Sequence, residues 1–521
     1  MRGAEALAPP RALRRRFPGW RFLAGIGAGA ALALGQAPFA LLPVALAGLI
    51  AAFLLWRDTA GAWAAARLGW GVGLGYFGLA LVWLVEPFLV DAARHGWMAP
   101  IALTGLAGGL AMLWAAAFAL ARWLAPRPAR RPLAGVGLAL CWAGAELARA
   151  YVLTGFPWAL PAYLWLGYGL DQGAALIGPH GLTLFTLLIG AATAAALEAR
   201  RPLAALGGLA LVIGGLALLG LSRAASAPET AGRPVIRLVQ PNAEQRLKWD
   251  PDMVPVFFRR QIEFTAAPPR DPSALRPALT IWPETAVPYA VESGGDVAQI
   301  VSEAAGGRPV ALGGLREAGG SLRNSLFLIT EGGEVAAIYD KHHLVPFGEY
   351  VPFADTARRF GLEALVAQGG RFAPGPGARL IDVPGLGGAL PLICYEAIFP
   401  QDVNAAPARA RFLLQITNDA WFGTFSGPWQ HLAQARFRAI EQGLPMLRAA
   451  NTGISAVIGP RGRILAEIPL GVADFIDARL PAALPPTPYS RTGDLPVALL
   501  IAAGLLLLLS ARLRKSPRKS N

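Results

Sequence analysis

Hydropathy is partitioned along this chain of 521 residues in a way that leaves few folds open. Apolar stretches recur before residue 222 and once more after 495, and the segment between them reads as ordinary globular sequence. A hydrocarbon layer of about 30 Å asks for about 20 apolar residues per helix. Spans are expected near 21–34, 39–56, 69–86, 99–124, 133–152, 180–199 and 204–222, with an eighth at 495–512. The first two are short, with only Gly35 to Pro38 between them.

A net charge of +14 suggests nucleic acid until its placement is examined. Arginines gather at Arg11, Arg14, Arg15 and Arg16, at Arg57 and Arg67, at Arg127, Arg130 and Arg131, and at Arg200 and Arg201. The tail adds Arg512, Arg514, Lys515, Arg518 and Lys519. These clusters precede span 1 and follow spans 2, 4, 6 and 8. The alternate loops 35–38 and 153–179 hold no Lys or Arg, and 87–98 holds only Arg94. That is the positive-inside alternation. It places both termini in the cytoplasm and the central domain on the outer face, and it makes the basic excess a matter of topology. The basic, then apolar, N-terminus resembles a signal peptide, but six further spans after it favour an uncleaved first span.

Three units follow: a membrane unit of seven spans over 1–224, a central domain over 233–480, and a last helix at 495–512. Ser222–Pro234 forms the linker. Strand-like runs stand at 235–240, 278–282, 309–315, 324–330, 335–340, 388–394 and 411–417, with helical candidates at 251–266, 296–305 and 428–443. Such alternation predicts an α/β domain. Small residues such as Gly71, Gly73 and Gly75 suit close packing of membrane helices. Glu146 and Arg149, spaced i and i+3, suit an ion pair that lets both be buried.

Chemistry concentrates at strand ends. Glu284 follows Leu279–Pro283, Lys341 follows Ala336–Asp340, and Cys394 follows Ala389–Ile393. Clefts in α/β sheets open at the carboxyl ends of strands. Taken alone, Glu284 reads as a solvated turn residue and Lys341 as a surface lysine. Lysines, however, are only four, at 248, 341, 515 and 519, among 47 Lys plus Arg. A compact ammonium kept in an arginine-preferring chain suits an oxyanion. Cys141 lies within span 5 and cannot pair with Cys394, so the central domain has one free thiol. A thiol needs a base and a nearby cation to act as a nucleophile. Two prolines and a glycine in Leu344–Pro352 present Glu349, which could orient the lysine or the thiol, or form a loop salt bridge. Tyr395 and Glu396 follow the cysteine, where backbone N–H groups commonly complete an oxyanion hole. His342 and His343 have no second ligand cluster at metal spacing, so neither metal nor cofactor is expected.

Trp282-Pro283-Glu284, Lys341-x-x-Leu344-Val345-Pro346-Phe347-Gly348-Glu349 and Ile393-Cys394-Tyr395-Glu396 resemble the Glu-Lys-Cys triad of the nitrilase (carbon–nitrogen hydrolase) superfamily. Ala37-Pro38-Phe39, Val152–Trp158, Leu247-Lys248-Trp249-Asp250, Asn324-Ser325, Thr417–Gly423 and Arg448–Gly453 narrow the resemblance to the apolipoprotein N-acyltransferase family. The resemblance implies a polytopic inner-membrane enzyme of a Gram-negative-type bacterium with an inserted periplasmic α-β-β-α domain. It implies acyl transfer from a phospholipid to the α-amine of an S-diacylglyceryl-cysteine apolipoprotein, through a Cys394 thioester. Glu284, Lys341 and Cys394 would carry the chemistry, Glu349, Tyr395 and Glu396 would support it, and Trp249, Asn324 and Trp421 would line the substrate path.

Segment 353–375, with Phe353, Phe360, Leu362 and Leu365 before three glycines, reads as a mobile lid or as an ordinary amphipathic surface helix. Three other functions stay open on residues alone. A membrane-tethered amidase would use water as second nucleophile. An inactive homologue would serve as a lipoprotein-binding scaffold. A transporter would need paired intramembrane charges, and the spans carry no convincing set.

Overall fold

The computed structural model describes residues 19–125, 132–199, 201–226, 228–270, 275–354, 359 and 372–514. Most of the expected lid, 355–358 and 360–371, lies outside them. The chain forms two units, one of residues 1–225 with 492–521 and one of residues 226–491.

In the first unit every apolar stretch is helical: α1 (Trp20–Ala33), α2 (Leu42–Arg57), α3 (Ala62–Ala80), α4 (Ala99–Leu124), α5 (Pro132–Tyr151), α6 (Ala174–Ala196), α7 (Pro202–Ala225) and the C-terminal helix Leu495–Arg514. Among the described residues, five helical stretches are long and apolar enough to cross a membrane. A sixth appears if α3 is joined to Val82–Leu89, which departs from it by 63°. Helices α1 and α2, at 14 and 16 residues, are shorter. The third expected span is therefore broken: Leu81 leaves helical geometry, and Pro87 cannot supply an N–H to the turn before it. Within α6, Gly178 is non-helical just before Pro179.

Close approach explains the small residues. A Cβ on Gly73 would come within 2.6 Å of the Ala111 Cβ across the α3–α4 contact. The Glu146–Arg149 pair is buried and closed at 2.6 Å, and the Trp114 indole N–H also donates to Glu146, at 2.7 Å.

The second unit contains β1 (Val235–Gln240), α8 (Val254–Ala266), β2 (Leu279–Ile281), α9 (Asp296–Ala304), β3 (Val310–Ala318), β4 (Ser321–Ile329), β5 (Val335–Asp340), β6 (Ile381–Val383), β7 (Gly387–Ile393), β8 (Phe412–Thr417), α10 (Gly427–Gln442), β9 (Met446–Ala450), β10 (Ser455–Ile458), β11 (Ile464–Ile468) and β12 (Asp474–Arg479). They form two six-stranded sheets, ordered β12-β1-β2-β3-β4-β5 and β11-β10-β9-β8-β7-β6. The pairs β1–β2, β2–β3, β7–β8 and β8–β9 are parallel.

Strand alternation builds four layers. Ala389 and Ile393 of β7 face Ile236, Leu238 and Ile281 between the sheets. Leu390 and Leu392, one residue out of phase, pack on Leu432, Ala435 and Ala439 of α10. On the opposite flank Val310 and Leu312 pack on Ala298 and Val301 of α9 and on Phe258 and Ile262 of α8. Central strands covered on both faces read as continuous apolar runs, as β7 and β8 do.

Candidate active site

Three strand ends deliver the expected groups. Glu284 lies three residues past β2, Lys341 directly follows β5, and Cys394 directly follows β7. All three are buried: Glu284 is 6% exposed, Lys341 1% and Cys394 5%. The Lys341 ammonium stands 3.0 Å from Oε1 of Glu349 and 3.4 Å from Oε1 of Glu284. Asn324 bridges the same two carboxylates. Its Nδ2 donates to Glu284 at 2.7 Å and to Glu349 at 3.1 Å. The second oxygens are met by backbone: Asn418 N–H donates to Glu284 at 2.8 Å and Val345 N–H to Glu349 at 2.8 Å. Each carboxylate is thus fixed at both oxygens, and the ammonium is fixed between them.

Electrostatics divide the roles. Burial disfavours the Lys341 ammonium, but Glu349 and then Glu284 outweigh it and hold its pKa above the usual lysine range. Burial pushes the Cys394 thiol well up, and the charge of Glu284 adds to this; Lys341 pulls the other way. The resting thiol is therefore protonated, within the electrostatic reach of the Glu284 carboxylate and of the Lys341 ammonium that favours its thiolate.

Cys394 has φ +50°, in the left-handed region, at the junction of β7 with a 3-10 turn over Cys394–Ile398. Glu396 in that turn is fully buried and accepts from the N–H groups of Ile393 and His342, each at 2.7 Å. Tyr395 is buried, which pushes its phenol pKa up. His342 lies 2.6 Å from Glu396, and His343 lies 2.7 Å from Asp402 while stacking on Phe399. Both imidazoles already have carboxylate partners.

The proposed substrate residues differ in depth. Asn324 is inside the site. Trp249 and Trp421 are 48% and 42% exposed. Trp249 lines a pocket with Glu284, Thr285 and Asn451. Trp421 sits on the turn that starts one residue after Asn418.

Sequence reasoning gave no role to Lys248, Asn418 or His431. Lys248 is buried, with Nζ 2.5 Å from Thr285 Oγ1 and 3.3 Å from the Glu284 carbonyl. Burial lowers its pKa to about 8 against the attraction of Glu284. It grips the turn after Glu284, where Thr285 has φ +47°. Its signal was the scarcity of lysine; Asn418 lay within a motif already noted.

Two stacked sheets, outer helices and a Glu-Lys-Cys grouping at strand ends define an enzyme domain of the carbon–nitrogen hydrolase class. The carbon-nitrogen hydrolase family matches residues 273–484, and the apolipoprotein N-acyltransferase N-terminal domain matches residues 28–192. The chain is 40% identical to an apolipoprotein N-acyltransferase of Bradyrhizobium diazoefficiens over 95% of this chain and 96% of that one. It is 42% identical to one of Caulobacter vibrioides over 94% and 93%. A CN-hydrolase superfamily crystal structure from Xanthomonas campestris covers 48% of this chain and 90% of its own, at 21% identity and a TM-score of 0.33. The chain belongs to the apolipoprotein N-acyltransferase family, and it is an N-acyltransferase.

Proposed function

We propose that the chain moves an acyl group from a phospholipid to the α-amine of an S-diacylglyceryl-cysteine apolipoprotein, the last step of lipoprotein maturation, through a thioester on Cys394. The observation that supports this reading best is the Lys341 ammonium held between Glu284 and Glu349, with the buried Cys394 thiol within the electrostatic reach of Lys341 and Glu284.

In the first half-reaction Glu284 takes the thiol proton as sulfur attacks the ester carbonyl. Lys341 Nζ and the Tyr395 backbone N–H meet the developing oxyanion. Collapse breaks the ester C–O bond, and Glu284 returns its proton to the departing lysophospholipid alkoxide. In the second half the neutral α-amine attacks the thioester carbonyl and Glu284 takes one N–H proton. The C–S bond then breaks, an amide remains, and the proton returns to sulfur. Glu349, Tyr395 and Glu396 support the site, while Trp249, Asn324 and Trp421 line the path of the substrates.

Eight spans, both termini in the cytoplasm and a periplasmic α/β domain are the topology that the arginine placement supports. Anchoring suits the substrates, because withdrawing acyl chains into water costs about 0.8 kcal/mol per CH₂. The test is product analysis with phospholipid and a diacylglyceryl peptide. An N-acyl peptide with equimolar lysophospholipid supports the reading; free fatty acid with unmodified peptide sinks it in favour of hydrolysis.

A further inference from the structure

A side chain with a Cβ is strained in the left-handed backbone region, and its surroundings must hold it there. Cys394 is such a residue, and a buried polar chain ends at its carbonyl oxygen. His431 Nε2 lies 3.1 Å from that oxygen, and Gln415 Nε2 lies 3.5 Å from it and 3.1 Å from His431 Nε2. On the far side, His431 Nδ1 stands 2.9 Å from Oδ1 of Asp419. Thr417 Oγ1 also donates to that oxygen, at 2.9 Å, and Arg448 donates to Oδ2 at 2.5 Å. Gln415, Thr417, Asp419, His431 and Arg448 are each 0% exposed.

The proton positions follow from what each group can do. Burial opposes charge on Asp419, but Arg448 and His431 hold its pKa down at about 2, so it is a carboxylate and only accepts. Nδ1 of His431 therefore carries a proton. Burial and Arg448 push His431 itself down, so the imidazole is neutral and Nε2 accepts from Gln415 rather than donating to the Cys394 carbonyl. One N–H of the Gln415 amide then serves His431, and the other serves the Cys394 carbonyl. This orientation leaves Gln415 Oε1 without a partner among the described residues, a cost that fixing the amide's N–H₂ toward Cys394 makes intelligible.

We propose that His431 is a positioning residue for the nucleophile. Anchored on Asp419, it accepts from Gln415 and so orients the amide, whose other N–H holds the Cys394 carbonyl and fixes the left-handed turn that presents the thiol to Glu284 and Lys341. The inference rests on Cys394 being the nucleophile of the reading above. It assigns His431 no contact with substrate.

The test uses the full-length protein in detergent and two readouts. One is the alkylation rate of Cys394 by iodoacetamide, resolved by peptide mass spectrometry. The other is the single-turnover rate of acylation by phospholipid, with its KM. His431→Ala should slow both rates about 10²-fold with KM unchanged, the scale expected for a small misplacement of a reacting group. His431→Gln, which can reach one partner but not bridge both, should recover part of the loss. Gln415→Met should reproduce the alanine effect, and it carries the test if His431→Ala does not fold. Leu432→Ala, which opens a cavity on the same helix, should leave both rates at the wild-type level.

His431→Ala or Gln415→Met rates equal to those of wild type, or slowed no more than by Leu432→Ala, overturn the proposal. Wild-type protein that never acylates, in which His431→Ala still slows alkylation, instead overturns the functional reading and leaves this one standing.

Discussion

Glu396 accepts the backbone N–H of Ile393 at 2.7 Å, three residues away, and thereby ties its carboxylate to the last residue before the nucleophile. The other oxygen takes the N–H of His342 at 2.7 Å, directly after Lys341. One buried carboxylate therefore sets the spacing between the segment that supplies the thiol and the segment that supplies the ammonium.

Glu396→Gln should consequently damage stability and catalysis together. The amide puts an N–H₂ where a charged acceptor met two backbone donors. The expected destabilisation is about 2–4 kcal/mol, the range for breaking a buried charged network. Thermal unfolding in detergent reads the first effect and single-turnover acylation the second. A variant that unfolds and acylates like wild type would show that Glu396 does not set this spacing.

Gly313 marks a close approach of β3 to Glu284. A Cβ there would fall 2.5 Å from the Pro283 carbonyl oxygen, 2.6 Å from the Thr285 nitrogen and 2.7 Å from the Glu284 Cα. All three are backbone atoms, so no side chain can swing aside. Gly313→Ala should displace Glu284 and lower kcat about 10²-fold, with overpacking that costs about 1–3 kcal/mol of stability. Unchanged kcat would mean that the base tolerates the shift.

His342 should contribute a pH-dependent part of stability. Burial opposes its charge, but Asp402 and Glu396 raise its pKa from 6.5 to about 10. The folded state then binds more protons than the unfolded one between these values. The stabilisation is complete below about pH 6.5 and is lost as pH rises through about 10. Comparing Tm across this window in wild type and His342→Gln isolates the effect: the gap between them should shrink toward alkaline pH. A gap that stays constant contradicts the assignment.

Taken singly, the glutamate and the lysine read as surface residues; the grouping of Glu284, Lys341 and Cys394 was legible because each closes an apolar run and the motifs around them match one family. Strands β6 and β9 to β12 were not. Arg448 interrupts the apolar pattern of β9, and residues of β11 and β12 are only partly buried, so neither pattern marks a strand clearly. His431 was hidden for a different reason. Gln430, His431, Gln434, Arg438 and Glu441 look like the solvated stripe of an amphipathic helix, yet all are buried in α10. Their partners, such as Asp419 for His431 and the Ile398 carbonyl for Arg438, come from distant segments that helical periodicity does not reveal. In the membrane unit, apolar length predicted helices, while the 63° bend after Ala80 depended on local breaks that a hydropathy window averages away.

The central claim is a covalent acyl-enzyme on Cys394. Purified protein incubated with phospholipid alone, then digested and weighed by mass spectrometry, tests it directly, with Cys394→Ala as the control. The account predicts an adduct of one acyl chain on Cys394 that hydroxylamine removes and that disappears when a diacylglyceryl peptide is added. Folded protein with well-dispersed lipid and no adduct, or an adduct that persists in Cys394→Ala, would contradict it.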